Sequence, residues 1–371
     1  MQKNTSSRKV KFVNVQGTDF LSTLKARVDQ YFEDKGISQH ANGYMVFKTV
    51  AMLSMLLVPY FFILFMDMPL WTMWVLTLAM GMGKAGIGLS IMHDANHGSY
   101  SSKSWINNVI GKSINLVGGH VVTWQIQHNV LHHTYTNVYG HDEDIDTIPL
   151  MRFSPEAPLR WINRYQHIFC VFFYGLMTFM WALHKDYGQL IRYDKLGLLK
   201  RSRGTLRGQM IELTITKILY YVYLLVIPMM LLDISFGQWF IGFFTMHFVA
   251  GVVLALIFQL AHVMENTDYP VPTTEKHTIE NEWAIHQMQT TSNFAKENRL
   301  LSWYCGGLNY QVEHHLFPKI CHVHYRSLSD IVKKTAEEFS VPYNSHGTFT
   351  NALISHFRHL KELGRPIPVA A

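Results

Sequence analysis

Four long apolar runs stand out along the chain, at 44–66, 70–92, 215–232 and 239–262. Each is near the roughly 20 mostly apolar residues that a helix needs to cross the hydrocarbon core of a bilayer, so each predicts a membrane span. Only Asp67, Met68 and Pro69 separate the first two runs, and a short segment around 233–237 separates the last two. Both pairs therefore predict hairpins with tight loops on the same side of the membrane. The tips carry no Lys or Arg, whereas Lys9, Lys11, Lys25, Arg27, Lys35 and Lys48 flank entry to the first hairpin and Arg192, Lys195, Lys200, Arg201, Arg203 and Arg207 precede the second. Positive charge favours the cytosolic side, which puts both termini there. Lys84, inside the second run, implies packing toward the bundle or a shift of the span.

A fifth apolar stretch at 168–183 is short for a crossing. If it crossed, the histidine motifs described below would fall on opposite sides of the membrane, so it is expected to lie in the interface as an aromatic-rich helix. The first 36 residues are polar and lack an apolar h-region, so no cleaved signal peptide is expected. The organisation that follows is a cytosolic N-terminal segment at 1–43, a membrane core at 44–325 and C-terminal cap helices at 326–371. An amphipathic stretch at 329–339 and a further helix near 349–363 form that cap. The fold class is thus all-α integral membrane, with four transmembrane helices in two hairpins under a cytosolic helical cap. The chain shows neither internal repeats nor a Gly-rich phosphate loop opening a helix, which argues against a flavin or nicotinamide domain.

Composition agrees with lipid contact: 49% of residues are hydrophobic and only 16% charged, against roughly 25% charged in a typical soluble domain. Cys170, Cys305 and Cys321 form no CxxC pair, which disfavours a disulfide scaffold or a thiolate-bound metal. No nucleic-acid partner is expected.

The chemistry is carried by histidine. Three clusters lie at or beyond the cytosolic ends of apolar segments: His93 and His97, then His128, His132 and His133, then His314 and His315 in Gln311-Val-Glu-His-His. With 21 His in 371 residues, HxxxH arises about once by chance but HxxxHH only about 0.07 times. Residues four apart on a helix share a face, so both rings of a pair can reach one metal ion, and the doubled His adds a ligand aimed elsewhere. Imidazole suits iron, copper, zinc and nickel alike. His262, where the fourth span leaves the membrane, is either an extra ligand or an interfacial polar residue. Taken together, the boxes make a membrane-bound iron oxygenase the leading reading. A membrane metal transporter is the non-enzyme alternative, but it should place its ligands within the spans rather than at their ends.

These stretches resemble the membrane fatty acid desaturase family, and within it the front-end branch, whose third box begins with Gln. The resemblance rests on HDANHGSYS at 93–101, HNVLHHTYTNVYGHDEDI at 128–145, LAHVMENTDY at 260–269, NEWAIHQMQTTSNFA at 281–295 and CGGLNYQVEHHLFPKICHVHY at 305–325. Delta-6 acyl desaturases and linoleoyl-CoA desaturases show the most similar pattern. It implies two iron ions held by His93, His97, His128, His132, His133, His262, His314 and His315, with O2 as co-substrate. Gln311 stands where other branches carry a ligand histidine; its amide would bind weakly, act through water or only orient neighbours. Asp94, Asp142 and Glu265 head the carboxylates, with Glu143, Asp144, Asp146 and Glu313 beside them, that could accept the distal N–H of ligand histidines. The pattern places no ligands at His322 and His324, which are expected at the surface or behind the ligands.

The activity implied is insertion of a cis double bond into an acyl chain, with a membrane lipid or acyl-CoA as substrate. A fatty acyl hydroxylase or sphingolipid desaturase on the same scaffold is the alternative. Residues 1–40 carry no HPGG haem motif, so the two electrons are expected from a separate donor, ferredoxin or cytochrome b5. The basic stretch 192–207 could dock that donor, or serve as membrane flanking charge or an anionic-lipid contact. An apolar tunnel would hold the chain, with Trp124, Trp283, Trp303 and Tyr304 as wall candidates or ordinary packing aromatics.

Overall fold

In the computed structural model, residues 9–146, 148–201 and 204–366 are described. Arg203 of the basic stretch lies outside the described residues, as does the side chain of Arg201. The helices that matter here are α1 (Phe20–Lys35), α2 (Gly43–Phe65), α3 (Leu70–His97), α4 (Leu206–Leu231), α5 (Phe236–His262), α6 (Trp283–Thr290), α7 (Gln311–Leu316), α8 (Tyr325–Glu338) and α9 (Phe349–Leu363). Four of them, α2 to α5, are long and apolar enough to cross a membrane. The fifth stretch is broken: Trp161–Gly175 and Met177–Leu183 meet at 44°, and would make a fifth crossing only if the bent pair acts as one span.

Two spans run further than their apolar residues predict. Helix α3 continues past the apolar run to His97, by way of a π-helical turn at Ile87–Ile91. It stops at Gly98, which adopts φ +77° and ends the helix in the left-handed conformation that glycine tolerates best. Helix α4 starts early, at Leu206, because the Thr205 side chain caps it by accepting from the Gly208 amide at 3.2 Å. Pro228 within α4 has no N–H for the Leu224 carbonyl one turn back. The Trp239 indole of α5 donates to that carbonyl instead, at 2.6 Å.

The backbone divides into two compact units: one of His40–Ile126 and Val171–Leu256, the other of the residues up to Gln39, Gln127–Cys170 and those from Ile257 on. The first holds α2, α3, α4 and most of α5. There Gly83 sits so close to α2 that an added Cβ would meet the Leu56 amide nitrogen at 2.5 Å. Lys84 is turned into the bundle, donating to the Tyr220 hydroxyl at 2.8 Å, with the His247 ring nitrogens at 3.1 and 3.2 Å. Lys217 likewise pairs with Asp186 at 3.0 Å. Long side chains with polar heads are tolerated in such segments when they find polar partners inside the bundle. A cavity of about 480 Å³, walled by Tyr60, Trp71, Met80, Leu224, Trp239 and Phe243 among others, opens between these helices.

The second unit has a core of its own. Its N-terminal helix α1 was not foreseen in a segment that reads as polar, yet Phe20, Leu24, Val28 and Phe32 recur every four residues and are buried. They join Val312 and Leu316 of α7 and Leu328 and Val332 of α8 in one apolar core. Two short parallel strand pairs close the unit: β1 (Lys11–Phe12) with β2 (Thr278–Ile279), and β3 (Ser292–Phe294) with β4 (Asn344–His346). With pairs this short, the all-α class stands.

Candidate metal centre

Box one ends α3. His93 and His97, one turn apart, bring their ring centroids to 4.7 Å, and both lie edge-on to Trp124, at 5.5 and 5.6 Å. Asp94 is buried, with Oδ1 3.9 Å from His93 Nδ1, too far for a direct hydrogen bond.

Box two, box three and His262 converge within the second unit. Box two lies in a π-helical turn, Ile126–His132, whose wider winding brings residues five apart onto one side. So His133 meets His128, their Nε2 atoms 3.3 Å apart, and also His314, Nε2 to Nε2 at 3.0 Å. His132, His262 and His315 form a second group, each offering a ring nitrogen within 4.8 Å of the others. His262 is held there by Asn137, in the left-handed region at φ +60°, whose amide nitrogen donates to the His262 carbonyl at 2.9 Å.

The partners of this second group fix which nitrogen carries the proton. His262 Nδ1 faces the Thr290 carbonyl at 3.3 Å; a carbonyl only accepts, so Nδ1 is the N–H and Nε2 holds the lone pair. Gln287 settles His315 in the same way. Its Nε2 donates to the His133 carbonyl at 3.3 Å, leaving Oε1 to accept from His315 Nδ1 at 2.8 Å. His132 Nδ1 donates to Asp142 at 3.0 Å. Buried Nε2 atoms of His132 and His262 have no hydrogen-bond partner, a cost that persists only if something else meets them. Inward-facing imine nitrogens whose opposite N–H is anchored are the donor set of a histidine-bound metal ion, so these residues fit one.

Electrostatics sharpen the point. Burial alone would keep His132 neutral, but Asp142 and Asp144 outweigh it and raise its pKa to about 9. Burial pushes the Asp144 carboxyl up, yet His132 and His128 together pull it well below the usual carboxylate range. A metal ion bound at His132 would therefore compete with a proton held by the same carboxylates.

Other candidates stand elsewhere. Gln311 is buried, its amide nitrogen without a hydrogen-bond partner. Glu265 turns to Arg358, at 3.5 Å, rather than to a histidine. Glu313 bonds to Tyr343 and Asn293. His322 and His324 are buried rather than exposed, His324 packing edge-on to Phe32 at 5.1 Å. Sequence reasoning missed Gln287, Asn137 and the Thr290 carbonyl, together with Tyr325, whose hydroxyl lies 3.1 Å from His314 Nδ1. All lie inside or beside the quoted stretches, but none is a residue type that spacing rules seek.

Comparison with known proteins agrees with this chemistry. The family model for fatty acid desaturases matches residues 69–347. The chain is 36% identical over 367 residues to the sn-1 linoleoyl-lipid 6-desaturase of Synechocystis sp., covering 97% of this chain and 99% of that protein. It is 34% identical to the sn-1 linoleoyl-lipid 6-desaturase of Arthrospira platensis, covering 93% and 92%. An acyl-lipid (8-3)-desaturase of Physcomitrium patens is 33% identical over 96% of this chain and 74% of its own length. A match of this reach, on a chain whose buried histidines can hold a metal, makes it a member of the fatty acid desaturase family and an oxidoreductase acting on lipid.

Proposed function

We propose that this protein is a front-end acyl-lipid desaturase that inserts a cis double bond at position 6 of a linoleoyl chain esterified in a membrane lipid. The regiochemistry and lipid form rest on the two cyanobacterial relatives that bear that name. Two irons, held by His93, His97, His128, His132, His133, His262, His314 and His315, would supply with O2 and two electrons the oxidising power to remove two neighbouring hydrogens. Those electrons come from a separate carrier, ferredoxin or cytochrome b5. Four spans in two hairpins hold the core at 44–325, with the bent segment in the interface and the termini and histidines on the cytosolic side.

The chain's own contribution is placement and exclusion. Asp142, Gln287 and the Thr290 carbonyl orient three rings. Burial of His132, His262 and His315 keeps bulk water from them. An unactivated methylene offers no polar handle, so the protein selects its site by where it holds the acyl chain. The observation that carries the reading is the convergence of His132, His262 and His315 with their outer nitrogens committed to acceptors.

The test is expression in a desaturase-deficient host, beside a His132→Ala control, with fatty acids analysed by gas chromatography and double-bond location. A new Δ6 cis bond in membrane lipids, absent from the control, is expected. A hydroxylated product, or a bond at another position, would overturn the assignment.

A further inference from the structure

Glu313 sits in box three immediately before His314 and His315, where a carboxylate would be expected to serve a metal or a ligand ring. Its side chain does neither. Oε1 accepts from the Tyr343 hydroxyl at 2.7 Å and Oε2 from Asn293 Nδ2 at 2.9 Å. Asn293 is fully used: its second amide hydrogen goes to the Tyr343 oxygen at 2.8 Å, and its Oδ1 accepts from the Val312 amide at 2.9 Å. That amide belongs to the first turn of α7, where N–H donors have no acceptor within the helix. Lys296 stands behind Tyr343, its Nζ 3.2 Å from the hydroxyl and 4.8 Å from the ring centroid. An ammonium thus reaches the carboxylate through a phenol.

We infer that Glu313 is a positioning residue: clamped by Tyr343 and Asn293, it fixes the rotation of α7 and so the direction of the His314 and His315 rings. The C-terminal segment that carries Tyr343 is thereby part of the centre's support. Three features favour this over ordinary core packing. The bonds converge on the first turn and third residue of a helix only six residues long, which has little rigidity of its own. Tyr343 directly precedes β4, whose pairing with β3 holds Asn293 in register. Every polar atom of Asn293 and the carboxylate is paired, the condition under which a buried network specifies one geometry.

The inference rests on the ligand reading above, and its test separates the two. Purified protein loaded with iron is mixed with a strong chelator and the rate of metal release followed; the visible spectrum of the cobalt-substituted protein reports the ligand field. Tyr343→Phe, which keeps the ring and removes the bond, should release metal about 10-fold faster, in line with the loss of other outer partners, and shift the cobalt bands. Glu313→Gln combined with it should add little, since the amide oxygen still accepts from Asn293 and the Tyr343 contact is already gone. The control, Arg27→Ala, removes bonds from Arg27 to Thr335 and Glu338 on α8 and should leave release and bands unchanged. Wild-type rates in Tyr343→Phe, or equal acceleration in Arg27→Ala, would overturn the inference while leaving the ligand reading intact. A wild-type protein that takes up no metal would overturn both.

Discussion

Asp142 accepts from His132 Nδ1 at 3.0 Å while its two oxygens also cap the amides of Asn137 and Asp144, each at 2.9 Å. One buried carboxylate therefore shapes the loop after box two and sets the proton of a candidate ligand. Asp142→Asn would keep the size but turn an amide donor toward a backbone donor and remove the charge. Metal affinity should fall on the order of 10- to 100-fold, read by chelator competition; unchanged affinity would detach Asp142 from the centre.

Metal uptake should depend on pH in a fixed direction. His132 is held at about 9, above its ordinary 6.5, so its charged pairing with Asp142 is fully present below about 6.5 and lost as pH rises through about 9. The metal-free protein should lose that stabilisation over this window, while metal affinity should rise across it as the competing proton leaves. Affinity that is flat or falls over the same interval would contradict the assignment.

Gln287 accepts from both His315 Nδ1 and the Thr136 hydroxyl, each at 2.8 Å. Gln287→Leu leaves buried donors without an acceptor, at a cost of about 1–3 kcal/mol. The expected outcome is a lower melting temperature together with reduced iron per chain. Gln287→Glu retains the acceptor and should recover more of the metal than the stability.

Gly83→Ala tests how closely α2 and α3 pack. Its Cβ would press on backbone of α2 at 2.5–2.9 Å, where no side chain can swing away, so the helices must part. A loss of about 1–3 kcal/mol is expected, measured as thermal stability in detergent. A stability equal to wild type would mean that α2 and α3 do not pack this closely.

Much of this was readable along the chain because membrane spans and histidine boxes are local patterns. Apolar runs of sufficient length mark α2 to α5 directly, and HxxxH pairs mark rings on a common face. Spans were missed only at their ends, where the Thr205 cap and the π-helical turn at Ile87–Ile91 extend helices through polar residues. Helix α1 escaped because four apolar residues in a polar segment gain meaning only against α7 and α8. Glu265 and Glu313 were plausible partners by proximity in sequence, yet each found a nearer cation or hydroxyl once the chain folded.

The sequence by itself determined the lipid-facing architecture, the histidine supply and the desaturase resemblance, since these depend on residue type and short spacing. Tertiary structure decided which acceptor holds each ring: Asp142 for His132, the Thr290 carbonyl for His262, Gln287 for His315. Hydrogen bonds act over about 3 Å between residues as far apart in sequence as His262 and Thr290. Only the folded chain brings such pairs within that range, and with them the inward direction of the free nitrogens.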